Sequence, residues 1–257
     1  MVGSRTWPFV GRTDTVDDLV AQLDAGHDVF ISGPAGLGKT RLAAEVATRL
    51  AGRGITVHRM VASPATSPVP LAPFADLVGG AVGSDAVAAA RRVLGADGKA
   101  GAGDPLLVVD DIHLLDDASA TVLQQLLAGG HVRLLATIRS TAAATVGVPA
   151  AVERLRSEHR VRHIDLAPLP DPAVAAMVEA ALGAPLDGRS KQLLTQTSAG
   201  NPLYARELVE GSLAAGALSA HGGVYSFQGE MTATPLLEEV VLARLAPLRT
   251  EERTAME

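Results

Sequence analysis

The tract Gly33-Pro34-Ala35-Gly36-Leu37-Gly38-Lys39-Thr40 fits G-x-x-x-x-G-K-[ST] and constrains the fold more than any other in this 257-residue chain. The pattern is the phosphate-binding P-loop, a turn that joins a strand to a helix. Both neighbours are present: an apolar run, Val29-Phe30-Ile31, precedes it and a helical pattern opens at Arg41. The glycines let backbone N–H groups curl around phosphate oxygens, and the helix N-terminus adds a favourable dipole. Lys39 then reaches the β- and γ-phosphates, and the Thr40 hydroxyl can ligate Mg²⁺. Lysine is scarce here, three residues against nineteen arginines. The competing account, a glycine-rich turn capping a helix, leaves the placement of that lysine to chance. The tract implies a nucleoside triphosphate as ligand.

The length allows one or two domains with a large buried core. Apolar residues at 47% and charged residues at 19% are those of a globular chain. Aromatics make up only 3%, so the core must be built from Ala, Val and Leu. A net charge of −6 argues against a nucleic-acid-binding surface within this segment. With no cysteine, disulfides and thiolate metal sites are excluded. The N-terminus lacks a basic-then-apolar signal pattern, and no apolar stretch approaches the length of a bilayer span. The expectation is a cytoplasmic location and no membrane partner.

Along the chain, Val16, Leu19, Val20 and Leu23 recur at helical spacing, with Asp14 as a cap near the start. Strand 1 over residues 28–32 feeds the P-loop, a helix covers residues 39–50, and a second strand covers residues 55–60. Pro64, Pro68, Pro70 and Pro73 then break any regular element. Helices are expected over residues 74–82 and 85–94, and a flexible surface loop over residues 95–104. Leu106-Leu107-Val108-Val109 is a continuous apolar run, as in a strand buried on both faces of a parallel sheet. A helix over residues 118–127 and strands over residues 132–137 and 161–166 follow. This alternation predicts an α/β fold with a doubly wound parallel sheet.

After Pro168 the pattern is helical alone, over residues 172–182, 189–198 and 202–215. Val224-Tyr225-Ser226-Phe227 reads as one arm of a small hairpin. A further helix starts over residues 235–245, and residues 250–257 open another that does not finish, so the segment reads as part of a larger protein. The expected division is a nucleotide-binding core at residues 1–167, a helical subdomain at residues 168–230, and the beginning of a third domain at residues 231–257.

Asp110 and Asp111 close the apolar run, at the carboxyl end of a parallel strand, where ligands bind in this fold. Asp110 matches the Walker B position and would hold Mg²⁺ directly or through water. Asp111 is placed to orient or activate the attacking water. Alone, the pair reads equally as two exposed turn carboxylates. Arg139, two residues past the strand ending near Thr137, can sense or stabilise γ-phosphate charge, or be a solvated surface arginine. His113 either couples the site to its surroundings or packs as a structural residue. Asp116 or Asp117 caps the following helix. Gly200-Asn201-Pro202-Leu203 is a good helix start, since proline is favoured in the first turn.

Together with Trp7-Pro8-Phe9-Val10-Gly11-Arg12 and Thr137-Ile138-Arg139, these tracts resemble the STAND branch of AAA+-related ATPases, signal-transduction ATPases with numerous domains. The likeness is greatest to the ATPase region of large LuxR-type bacterial transcriptional regulators, and it covers nearly the whole chain. The resemblance implies ATP or ADP with Mg²⁺ as ligands. It places Val10, Gly11 and Arg12 beside adenine and ribose, Gly33 to Arg41 around the phosphates, and Pro202 on the base from a helical lid. It makes Arg139 the first sensor and residues 236–245 the start of a winged-helix domain. Such proteins self-associate in the ATP state and bind DNA only through a C-terminal domain beyond this segment.

Two departures from the family pattern matter. Gly-Arg is commonly followed by Glu-x-Glu, whereas this chain reads Thr13-Asp14-Thr15. The second Walker B acid is Asp111, where ordinary AAA+ motors carry glutamate, one methylene longer. A water held for in-line attack would sit differently, so slow hydrolysis is expected of a switch. The alternative is a constitutive AAA+-like ATPase acting in DNA processing or remodelling. A small-molecule kinase is a weaker third, because no acceptor-substrate pocket can be read.

Overall fold

Short runs of Val, Leu and Ile bounded by turns form five parallel strands, as the apolar pattern requires. The computed structural model describes residues 5–95, 103–130, 132–140, 148–158 and 160–234. These fall into two compact units. Of the described residues, one unit comprises 12–35 and those of 39–166, the other 5–11, 36–38 and 167–234.

In the α/β unit, helix α1 (Thr13–Asp24) precedes β1 (Asp28–Gly33), α2 (Lys39–Ala51) and β2 (Val57–Val61). A 3-10 turn (Ala72–Phe74), α3 (Ala75–Val78) and α4 (Ser84–Leu94) lead to β3 (Leu106–Asp110). A second 3-10 turn (Ile112–Leu114), α5 (Asp117–Ala128), β4 (Arg133–Arg139), α6 (Ala150–Arg156) and β5 (Val161–Asp165) complete it. The sheet order is β2-β3-β4-β1-β5, with every pairing parallel. Interior strand β1 is buried throughout, while edge strands β2 and β5 each bury a single residue fully. Phe30, Leu107, Leu123, Leu126 and Leu134 belong to the core of this unit, and Phe74 seals it.

Several expectations shift. Helix α1 begins at Thr13, and its N-cap is Arg12 with no side-chain cap bond, so Asp14 lies in the first turn. There its charge still complements the helix dipole. The helix expected over residues 74–82 is a 3-10 turn plus four α-helical residues, ended by Gly79 at φ +57°. Helix α6, seven residues with a buried stripe of Ala151, Val152 and Leu155, was not legible in the sequence. It is too short to repeat its period. Arg139 is the last residue of β4 itself and does not lie beyond the strand. Most of the loop read over residues 95–104, and the segment read as the start of a winged helix, lie outside the described residues.

In the other unit, α7 (Asp171–Leu182), α8 (Gly188–Ser198) and α9 (Pro202–Ala214) precede an antiparallel hairpin of β6 (Leu218–His221) and β7 (Val224–Phe227). Val174, Val178, Leu194 and Val209 form its core, with Trp7 and Val10 packed against it. Trp7 Nε1 donates to Glu210 at 3.2 Å, and the Arg5 guanidinium donates to the Ala181 carbonyl at 3.3 Å. These bonds tie the N-terminal residues to helices 176 and 203 positions away. Among the described residues, no helix is long and apolar enough to cross a membrane.

At the N-terminal end of β1, Asp28 is 3% exposed. It accepts a 2.8 Å bond from the Leu134 N–H and pairs with Arg160 at 3.0 Å. Burial outweighs both and pushes its carboxyl from 3.8 up to about 6. The folded protein therefore holds this proton more tightly than the unfolded chain does. The resulting stability is complete below pH 4 and is lost as pH rises through 6, about 3 kcal/mol from this group. Asp28→Asn should remove that share of the pH dependence in denaturant titrations between pH 4 and 7. Equal slopes for variant and wild type would rule the assignment out.

Candidate nucleotide site

The P-loop begins on the last residue of β1 and ends on the first residue of α2. Gly33, Gly36 and Gly38 have φ of +150°, +84° and +87°, backbone that other residues rarely adopt. Such a path turns successive N–H groups toward one concave side, a nest for anions. Gly36 is also sterically required: a Cβ there would meet Asn201 Oδ1 at 2.8 Å. Asn201 is the N-cap of α9, accepting from the Leu203 and Tyr204 N–H groups, and the Leu203 N–H also reaches the Gly36 carbonyl at 3.3 Å. Pro202 follows, half-buried in the first turn of α9.

Lys39 is only 7% exposed, and its Nζ donates to the carbonyls of Gly33 at 2.8 Å and Pro34 at 2.9 Å. Around it, Leu37 is buried, Ala35 half-buried and Pro34 exposed. Thr40, the next residue, donates its hydroxyl to both carboxylate oxygens of Asp110, at 3.0 and 2.9 Å. Arg41 is exposed and pairs with Glu45 one turn on, at 3.2 Å.

The strand order explains how the two Walker segments meet. Because β4 lies between β1 and β3, its side chains can bridge their carboxyl ends. Thr137, fully buried on β4, donates its hydroxyl to Asp110 and accepts the Asp111 N–H at 2.9 Å. It holds the Asp110 carboxylate in place and was missed in the sequence. The hints were its place in the tract Thr137-Ile138-Arg139 and a hydroxyl residue among the apolar residues of the strand.

Asp111 has φ +51° and ψ +47°, a left-handed conformation. Its carboxylate accepts from Arg139 Nη2 at 3.2 Å. The sequence-predicted pair Asp111 and Arg139 is thus brought together, each neutralising the other. His113, on the second 3-10 turn, is buried, and its Nδ1 has no hydrogen-bond partner. Burial lowers its imidazole below the ordinary range; Asp111 and Asp110 oppose that, while Arg139 and Lys39 reinforce it. Asp116 caps α5 through the Ser119 N–H, as expected, and also accepts the Leu71 N–H at 3.2 Å. Arg12 is buried, and desolvation lowers its guanidinium. Val10 is half-buried and Gly11 exposed.

The Thr40–Asp110 pair can be tested against Mg²⁺. The ion takes oxygen ligands at about 2.0–2.1 Å in octahedral geometry, which sets adjacent ligands about 2.9 Å apart. The Thr40 and Asp110 oxygens stand 2.9 and 3.0 Å apart, so the donor set fits two neighbouring positions. Among the described residues, no cluster of three or more His, Asp or Glu side chains could hold a metal by itself. One carboxylate and one hydroxyl suit an ion that draws its other ligands from phosphate and water.

Residues 8–103 match the AAA ATPase domain family. No curated protein sequence matches the chain. Among solved structures it is similar to Orc1 of Aeropyrum pernix, determined in complex with DNA, with a TM-score of 0.58 at 15% identity over 96% of this chain and 68% of that one. It is also similar to RuvB of Thermotoga maritima, with a TM-score of 0.51 at 16% identity over 94% of this chain and 71% of that one. At such identities the likeness concerns the fold alone. The chain has an α/β P-loop fold, and its first hundred residues are similar to the AAA ATPase domain.

Proposed function

We propose that the chain is the ATP/ADP-binding switch of a bacterial transcriptional regulator, in which slow Mg²⁺-dependent hydrolysis controls conformation and self-assembly. The observation that carries the reading is the mutual pairing of Asp111 with Arg139. The residue proposed to activate water and the residue proposed to read the γ-phosphate occupy each other. Lys39 likewise donates to carbonyls of its own loop. A triphosphate must exchange these partners, so its binding alters the site and its departure restores it. That is the differential interaction a population shift requires.

In this assignment residues Gly33 to Gly38 and Arg41 surround the phosphates, and Lys39 contacts the β- and γ-phosphates. Thr40 and Asp110 hold Mg²⁺, which offsets phosphate charge when bound. Val10, Gly11, Arg12 and Pro202 serve the base and sugar, as the family resemblance implies, with the helices after Ala167 acting as the lid.

The test compares the 257-residue chain with ADP and with a non-hydrolysable triphosphate, each with Mg²⁺, by small-angle scattering and sedimentation. The switch predicts different profiles and a turnover well below about 1 s⁻¹. Identical profiles would overturn it. Faster steady turnover would favour the constitutive ATPase of DNA processing or remodelling.

A further inference from the structure

Buried polar atoms are almost always hydrogen-bonded, so an unpartnered one beside a cluster of charged groups calls for a functional explanation. His113 is such a residue: it is 8% exposed, and its Nδ1 is buried without a partner. It lies two residues past Asp111 on the turn that leaves β3. Asp111, Asp110, Lys39 and Arg139 are the charged groups that act on its ring. Burial favours the neutral imidazole, which carries one N–H donor and one acceptor nitrogen. Meanwhile the Asp111 carboxylate has an exchangeable partner, Arg139, whose side chain is 47% exposed.

We propose that His113 is a positioning residue that receives Asp111 when Arg139 turns to a γ-phosphate, donating its Nδ1–H to the Asp111 carboxylate. The proposal rests on the nucleotide-switch reading of the same site. Without His113, a carboxylate released by Arg139 would swing freely and hold a water poorly. With it, the carboxylate passes from Arg139 to His113, so that it has a donor in each nucleotide state. The unsatisfied nitrogen found with the Asp111–Arg139 pair closed is then the vacant half of that exchange.

The test uses the 257-residue chain labelled with ¹⁵N in histidine, recording the His113 ring nitrogens with ADP and with a non-hydrolysable triphosphate, each with Mg²⁺. The Nδ1 resonance should move on exchange of ADP for triphosphate and show a protonated, hydrogen-bonded nitrogen in the triphosphate state. Alongside it, H113L should lower ATP hydrolysis about tenfold. H113N places an amide donor near the former Nδ1 and should recover most of that loss, whereas H113Q, whose amide lies near the former Nε2, should not. An Nδ1 resonance that is the same with both nucleotides overturns the proposal, even if H113L fails to fold. Equal losses in H113N and H113L do so as well, because a packing role would not distinguish the two. If the wild-type chain binds neither nucleotide, the P-loop reading falls and this proposal with it. Binding with an unchanged Nδ1 resonance removes the proposal alone.

Discussion

Lys39→Ala should leave the chain folded and reduce its affinity for Mg²⁺-ATP at least 100-fold. In the structure the ammonium is nearly buried and held by the carbonyls of Gly33 and Pro34. Those two bonds keep a desolvated cation at the mouth of an anion nest, so a phosphate oxygen can replace a carbonyl without unfolding the loop. Hydrogen bonds to charged groups contribute about 1.5–3 kcal/mol each. Loss of the contacts to two phosphates therefore amounts to about 3 kcal/mol or more, the stated 100-fold. The fold should lose only about 1 kcal/mol, because loss of the two carbonyl bonds is largely offset by no longer burying an ammonium. Calorimetric titration with Mg²⁺-ATP, beside a thermal melt, measures both. Wild-type affinity in a folded variant would refute the role given to Lys39.

Asp111→Asn should bind nucleotide within a few-fold of wild type and hydrolyse ATP 10²- to 10⁴-fold more slowly, the range for loss of a general base. The substitution isolates the charge. Asparagine tolerates the left-handed backbone found at position 111, and its N–H still reaches Thr137. The same backbone accounts for the departure from glutamate. Aspartate and asparagine enter the left-handed region at φ +51° more readily than longer side chains do. Phosphate release under single-turnover conditions is the measurement, and equal rates would take Asp111 out of the mechanism.

Much of the site was legible because its physics is local. Gly33, Gly36 and Gly38 are needed where the backbone takes positive φ, and Lys39 and Thr40 follow at positions set by the first turn of α2. Asp110 was legible because the buried run of β3 ends on it. The errors arose where a partner lay far along the chain or where an element was too short to show a period. Arg139, a charged residue, does not continue the apolar run of its strand, yet the ladder with β1 extends to the Gly33–Arg139 pair. Thr137 lay within the tract Thr137-Ile138-Arg139 but had no role to mark it, because its partners are 26 and 27 residues away.

The sequence alone set a strand, a glycine turn and a helix in succession. It also determined that two carboxylates would end a buried strand of a parallel sheet, since those features depend on residues adjacent in the chain. Only the tertiary structure decided that β4 enters between β1 and β3, bringing Thr137 to Asp110 and Arg139 to Asp111. Strand order is set by how helices and side chains fill both faces of the sheet, a property of the assembled core. It is this order that lets the charged groups of the P-loop site satisfy one another.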